Sequence, residues 1–465
     1  METEKKIQYG EGMKKSVVMC APFNTRSGYG DHARSIFYSI VDREDIDIKC
    51  IDVKWGNTPR NHLRPEVPRH KKLLDRIIKP ETIQQQPDVY IDIRIPNEFA
   101  TPGKFNIGIT AGVETDVVSG EFINGCNQMN LNIVPSTFTA ATFHRCKYDQ
   151  MKDMPDGSKQ KTGQLSLQKP MAVLFEGVDT DVYRPMDKYQ IKGDFIDEFN
   201  GLVKEDFVYL HVGQLGKGGY GEDRKNITLM VKCFLQAFSN HPNPPAMVLK
   251  TNGANFSVLD QHDTLKRLRK QASKFSSVDS LPNVYLIHGD LTIEEMAMLY
   301  NHPKVKTMVS CTHGEGYGRP LAEATCCDLP VIASNWSAQL DFLSDKDSLL
   351  ISGFLKEVPK SALWPPIVVE PSKWFNVQES DVIRKFRLFH KKEKLLVKKA
   401  KRLGKKNRRE KSLKAMAIEM NKILDDVLKK IPSQVGLKLP KLQKVGETSE
   451  KPKASIKLPK LKKIT

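Results

Sequence analysis

Twelve short, continuously apolar runs separated by helix-patterned stretches constrain this 465-residue chain more than any other feature. In the first half they cover 16–22, 46–53, 88–95, 105–113, 131–136 and 171–178. In the second half they cover 207–215, 246–252, 283–289, 306–311, 330–336 and 348–353. A strand that is apolar on both sides belongs in a sheet covered on both faces, as parallel sheets are. Helical patterns lie between the runs. In 226–240, for example, Ile227, Val231, Phe234 and Phe238 recur on one helix face. This alternation predicts an α/β chain of two doubly wound, Rossmann-like domains facing a central cleft. The expected domains are 1–188 and 189–375, joined near 177–189, where Pro185 and charged residues follow a strand. After about residue 370 the strand pattern stops. Residues 376–431 read as helices, with Leu413, Met416, Met420, Ile423 and Val427 forming an apolar stripe. Residues 432–465 are Lys/Pro-rich, and their composition predicts disorder. That tail holds two copies of a short basic–apolar motif, at 437–444 and 456–463.

Charge is concentrated at one end. Of 73 Lys+Arg and 55 Asp+Glu, 28 and 7 fall within 384–465, so this segment carries +21 and the preceding body −3, for a net +18. The segment is expected to attract a polyanion, either DNA or an anionic membrane surface. No run approaches the ~18 uninterrupted apolar residues of a spanning helix. The first residues lack the apolar stretch of a secretory signal. The eight cysteines lack metal-ligand spacing and mostly sit in apolar runs. A cytoplasmic protein is expected, with peripheral membrane attachment as the variant that the basic end allows.

The densest chemical signal is 311–336, a strand, a glycine-rich loop and a helix start. Gly314, Gly316 and Gly318 allow close backbone approach, and Pro320 suits a first helical turn. Free N–H groups there favour an anion such as a diphosphate. Glu315 and Glu323 lie eight positions apart, and a carboxylate suits a vicinal diol of ribose or hexose. In 211–227, Arg224 and Lys225 stand at an expected helix start, where cations oppose the helix dipole unless an anion is bound. Gly28, Tyr29 and Gly30 form a weaker phosphate-turn candidate. Asp179 and Asp181 read as turn chemistry at the domain join, and His313, Cys326 and Cys327 as core packing. No metal site is expected.

The string 313–336 resembles the donor-binding segment of the family 4 retaining glycosyltransferases, which have the GT-B fold and an E-x7-E pattern met here by Glu315 and Glu323. Segments 134–143, 177–185 and 212–227 match other landmarks of that family in order, and the likeness spans roughly 16–425. The resemblance implies a nucleotide-diphosphate sugar bound mostly by the second domain, an acceptor on the first, retention at the anomeric carbon, and no metal or other cofactor. It implies that Glu315 contacts the sugar hydroxyls, Glu323 the ribose, and Arg224 with Lys225 the departing diphosphate. Gly316, Tyr317, Gly318 and Arg319 would hold phosphates and sugar. His288 would lie near the base, and Gly28, Tyr29 and Gly30 would approach from the opposite domain. Glu114 matches an acidic position near the acceptor side, and a last helix would return to the first domain. Two positions depart from the pattern. Gln214 stands where many members carry a basic residue, with Lys217 as the nearest substitute, and Asn132 stands where Asp is common. The acceptor is left open between a glycan or lipid-linked glycan, a protein, and DNA bearing hydroxymethylated bases. A non-catalytic sugar-nucleotide-binding scaffold is the rival of another class.

Overall fold

The computed structural model describes residues 14–155, 157–216, 218–253, 256–275 and 277–431. The Lys/Pro-rich tail and its two motif copies lie outside the described residues. The first lobe contains β1 (Lys15–Ala21), α1 (Gly28–Ile40), β2 (Ile46–Asp52), α2 (Pro68–Leu74), β3 (Val89–Ile93), β4 (Phe105–Ile109), α3 (Gly120–Gln128), β5 (Leu131–Val134), α4 (Thr137–Arg145), β6 (Lys147–Asp153), β7 (Lys159–Ser166) and β8 (Met171–Val173). Its sheet runs β2-β1-β3-β4-β5-β8, parallel throughout. The second lobe contains α5 (Asp194–Leu202), β9 (Val208–Val212), α6 (Ile227–Phe238), β10 (Ala246–Lys250), α7 (Val258–Ala272), β11 (Val284–Ile287), α8 (Ile293–Asn301), β12 (Val305–Ser310), α9 (Arg319–Cys326), β13 (Val331–Ser334), β14 (Leu349–Ile351), β15 (Gly353–Glu357) and β16 (Lys373–Val377). Its sheet runs β11-β10-β9-β12-β13-β14, also parallel. The chain then forms α10 (Glu379–Glu410) and α11 (Leu413–Lys430).

Each of the twelve apolar runs forms a strand, six in each sheet. The strand order reverses once per sheet, beside β1 and β3 in the first and beside β9 and β12 in the second. The carboxyl ends at such reversals form the crevice where open α/β sheets bind ligands. Two hairpins were not expected. β6 and β7 pair antiparallel and are largely exposed, so they lack the apolar run that marks the other strands. β15 and β16 form the second, which puts strand structure at 373–377, beyond the expected stop near 370.

α11 covers the core of the first lobe. Met416, Met420, Leu424 and Val427 are buried there with Ile36 and Ile40 of α1. Leu424 takes an inward place that the sequence reading gave to Ile423, which is only partly buried. Arg43 pairs with Asp425 at 2.7 Å, and the Asn421 side chain donates to the Ser39 carbonyl at 2.9 Å. The two crossings between lobes are bonded to each other. Val178 N–H donates to Lys411 at 2.9 Å, and Leu413 N–H to Val178 at 2.7 Å. Among the described residues no helix is long and apolar enough to cross a membrane. Because Leu424 has no exposed surface, Leu424→Ala is expected to cost about 2–5 kcal/mol, read as a lower midpoint in denaturant unfolding.

Candidate functional site

The loop 213–226 leaves β9 and the loop 311–318 leaves β12, so both open at the reversal of the second sheet. Asp223 caps α6 by accepting from Ile227 N–H at 2.9 Å and from the Thr228 hydroxyl at 3.0 Å. Arg224 and Lys225 therefore precede α6 instead of occupying its first turn, and Asn226, at φ 54°, turns the chain into the helix. Lys225 Nζ donates to both carboxylate oxygens of Glu315, at 2.5 and 2.6 Å. Burial acts to raise the Glu315 carboxyl, but Lys225 and Arg224 outweigh it and hold it below its ordinary value. The expected partner of these two cations was a diphosphate; here acids from both lobes pair with them.

Glu114, from the loop after β4 in the first lobe, pairs with Arg224 at 2.5 Å, and Arg224 also lies 3.9 Å from Glu315. The approach is possible because backbone meets backbone. A side-chain carbon on Gly316 would lie 2.1 Å from the Ala111 carbonyl oxygen, and one on Gly314 would lie 2.2 Å from that of Glu114. Alongside, Phe138 meets Trp336 edge-on at 4.8 Å, and Thr137 N–H donates to Asp341 at 2.8 Å. Arg26 pairs with Asp290 farther along the same seam.

A second charged cluster lies at the start of α9. Gly318, at φ 92°, turns the chain so that Arg319 opens the helix. Arg319 Nε donates to Glu323 at 3.1 Å, and its guanidinium lies 4.0 Å from Glu176 of the first lobe. Burial pushes both Glu176 and Glu323 up to about 7 against the pull of Arg319. His32 of α1 is fully buried, and burial, aided by Arg319, holds it down at about 3. Neither of its ring nitrogens has a hydrogen-bond partner among the described residues, and neither does Arg319 Nη1.

The structure thus brings Glu114, Arg224, Lys225 and Glu315 into one centre, and Arg319 with Glu323 into another. Other candidates stand differently. Tyr317 turns into the second lobe's core, and its hydroxyl has no partner there. Tyr29 spends its hydroxyl on Thr110 at 2.9 Å and on Ala111 N–H at 3.1 Å. Gly28 and Gly30 open α1, where Ser27 caps Gly30 N–H at 3.1 Å. His288 faces Asp260 at 2.9 Å, at the end of β11 on the sheet edge. The Gln214 side chain donates to the Gly253 carbonyl at 2.6 Å, and Lys217 lies outside the described residues. Asp179 pairs with Arg69 at 2.9 Å and accepts from Asp181 N–H. His313 stacks on Trp374 at 4.1 Å, and all eight cysteines are free and buried. Among the described residues no group of three metal-ligating side chains forms. Glu176, His32 and Asp31, which pairs with Arg34 and acts electrostatically on Arg319 and Glu323, were missed. The readable signal for Glu176 was a lone acid inside the apolar run 171–178.

No family model matches the chain, and no curated protein matches it by sequence. Solved structures do match. Anabaena HepE, in complex with UDP and glucose, superposes at TM-score 0.58 with 12% identity, covering 89% of this chain and 100% of its own. Sucrose-phosphate synthase from Thermosynechococcus elongatus gives 0.59 with 12% identity, over 90% of this chain and 100% of its own. The UDP-forming α,α-trehalose-phosphate synthase from Burkholderia xenovorans gives 0.56 with 9% identity, over 89% and 100%. The likeness extends across both lobes, and the chain has the GT-B fold seen in these glycosyltransferases.

Two outcomes follow from this geometry. A carboxyl raised from about 4.5 to about 7 stays protonated longer in the folded than in the unfolded chain. Stability therefore falls as pH rises through that window and levels off above it. Glu176→Gln is expected to remove up to about 3 kcal/mol of that fall, measured by urea unfolding from pH 4.5 to 8. Gly316→Ala forces a contact between the lobes and should cost about 1–3 kcal/mol. Gly28→Ala, whose added carbon meets nothing within 4 Å, should be close to neutral in the same assay.

Proposed function

We propose that the cleft binds a nucleotide-diphosphate sugar and that the protein is a retaining, metal-independent glycosyltransferase. The observation that carries this reading is the Arg224–Lys225 pair, held against Glu114 and Glu315 where the second sheet reverses its strand order. An incoming diphosphate would replace the carboxylates as partner of both cations. Glu315 would then be released toward the sugar hydroxyls, and Glu323 would be left for the ribose. With a carboxyl near 7, Glu323 can donate as well as accept, which suits a diol. Arg224 and Lys225 would stabilise the negative charge that grows on the departing diphosphate, in a site that the lobe contact partly screens from water. Backbone N–H groups around Gly316–Arg319 would complete the anion cradle. No side chain is assigned as a nucleophile. The HepE complexes contain UDP and UDP-glucose, which makes UDP-sugars the first donors to test.

The acceptor would enter from the first lobe. A glycan, a lipid-linked glycan or a protein is the favoured class, with a hydroxymethylated DNA base as the alternative.

A thermal-shift screen of UDP-, GDP- and ADP-sugars is expected to show one donor raising the melting temperature. Release of sugar from that donor should continue in excess EDTA. It should fall about 10²–10³-fold in Arg224→Ala and Glu315→Ala, and NMR of the product should show the donor's anomeric configuration. Tight donor binding with no turnover in wild type would instead make the protein a sugar-nucleotide-binding scaffold.

A further inference from the structure

α10 presents a row of lysines to solvent that form no ion pair among the described residues. Its inward residues Leu396, Ala400, Leu403 and Asn407 are buried against the second lobe. At ~100° per residue, Lys394, Lys398, Lys401 and Lys405 fall on the opposite side, and all four are exposed. They form a line of roughly 16 Å at ~1.5 Å per residue. The described acids nearby form their ion pairs with other cations, although Asp328 also feels the charge of Lys401. Glu393 pairs with Lys306 at 3.7 Å, Glu410 with Arg409 at 2.5 Å, and Asp328 with Arg408 at 2.6 Å. Asp347 pairs with Arg402. Among the described residues none of the four lysines has an ion pair. An ordinary solvated helix face mixes both signs, and like charges three or four positions apart cost a helix about 0.2–0.5 kcal/mol per pair.

We propose that this row docks the phosphate backbone of a nucleic acid. These four cations lie along a line, with Lys391, Lys392 and Lys399 flanking it on the same helix, and such a line suits a linear polyanion carrying one phosphate per ~3.4 Å of axis on each strand. A membrane surface calls for cations spread over a plane and apolar side chains that insert beside them. Leu395 is the only exposed large hydrophobic residue among those described on this helix. Lysines act on phosphates as point charges, so the docking is independent of base sequence. The inference rests on this outer surface and not on the reading of the cleft.

The test uses the full chain, whose basic tail is retained in every arm. Binding to a 30-base-pair mixed-sequence duplex is followed by fluorescence anisotropy between 50 and 200 mM salt. Binding to phosphatidylserine-containing vesicles is measured in parallel. In the variant combining Lys394→Gln, Lys398→Gln, Lys401→Gln and Lys405→Gln, the slope of log K against log salt should become shallower by about 3–4, at ~0.9 per phosphate contact. Duplex affinity should drop at least tenfold at about 100 mM salt, with an unchanged melting temperature and an unchanged donor-induced shift. An unchanged slope, no duplex binding by wild type, or a loss confined to vesicles would overturn the proposal.

Discussion

Backbone from one lobe touches backbone from the other where Ala111, Gly112 and Glu114 meet Gly314 and Gly316, and the charge pairing across the lobes depends on that contact. With any side chain at 314 or 316 the lobes could not meet this closely. Only at this separation can Glu114 reach Arg224 and Arg319 approach Glu176. Charges taken out of water are costly unless paired. Closure therefore organises acids and cations from both lobes into alternating partners. The same closure partly shields these groups from bulk solvent, Lys225 and Glu315 more than Arg224 and Glu114, which strengthens the field between them.

The two acids eight positions apart have opposite electrostatic surroundings. Glu315 lies under two cations and stays ionised, while Glu323 is buried beside one cation, with Asp31 opposing it, and rises to about 7. Environments that push two carboxyls apart in this way give them different capacities, one a fixed negative charge and the other a donor and acceptor. The difference comes from place in the fold. Glu315 follows β12 at the sheet reversal, whereas Glu323 sits within α9, behind Arg319.

Much of the architecture was legible because each sheet is covered on both faces, so its strands appear as unbroken apolar runs. The β6–β7 hairpin escaped because it is largely exposed and mostly polar, with Tyr148 and Leu165 packing on the lobe only at its base. The Asp-Gly pair at 156–157 was its one readable sign. In the site, loops that follow strands at a reversal could be singled out from glycines and charges. That Tyr317 packs into the second lobe's core and that Thr110 and Ala111 hold the Tyr29 hydroxyl could not be read, because glycine-loop tyrosines look alike in sequence whatever they face.

The sequence by itself determined the two parallel sheets, the glycine loops, the cationic pair and the position of the excess charge, since each is a matter of local pattern and composition. Tertiary structure alone decided which acids those cations hold, that Glu176, Asp31 and His32 share the electrostatic surroundings of Arg319 with Glu323, and that Lys394, Lys398, Lys401 and Lys405 face outward with no ion pair among the described residues. Those outcomes depend on which segments, far apart in the chain, come within a few ångströms and lose their water, and no periodicity along the chain encodes that distance.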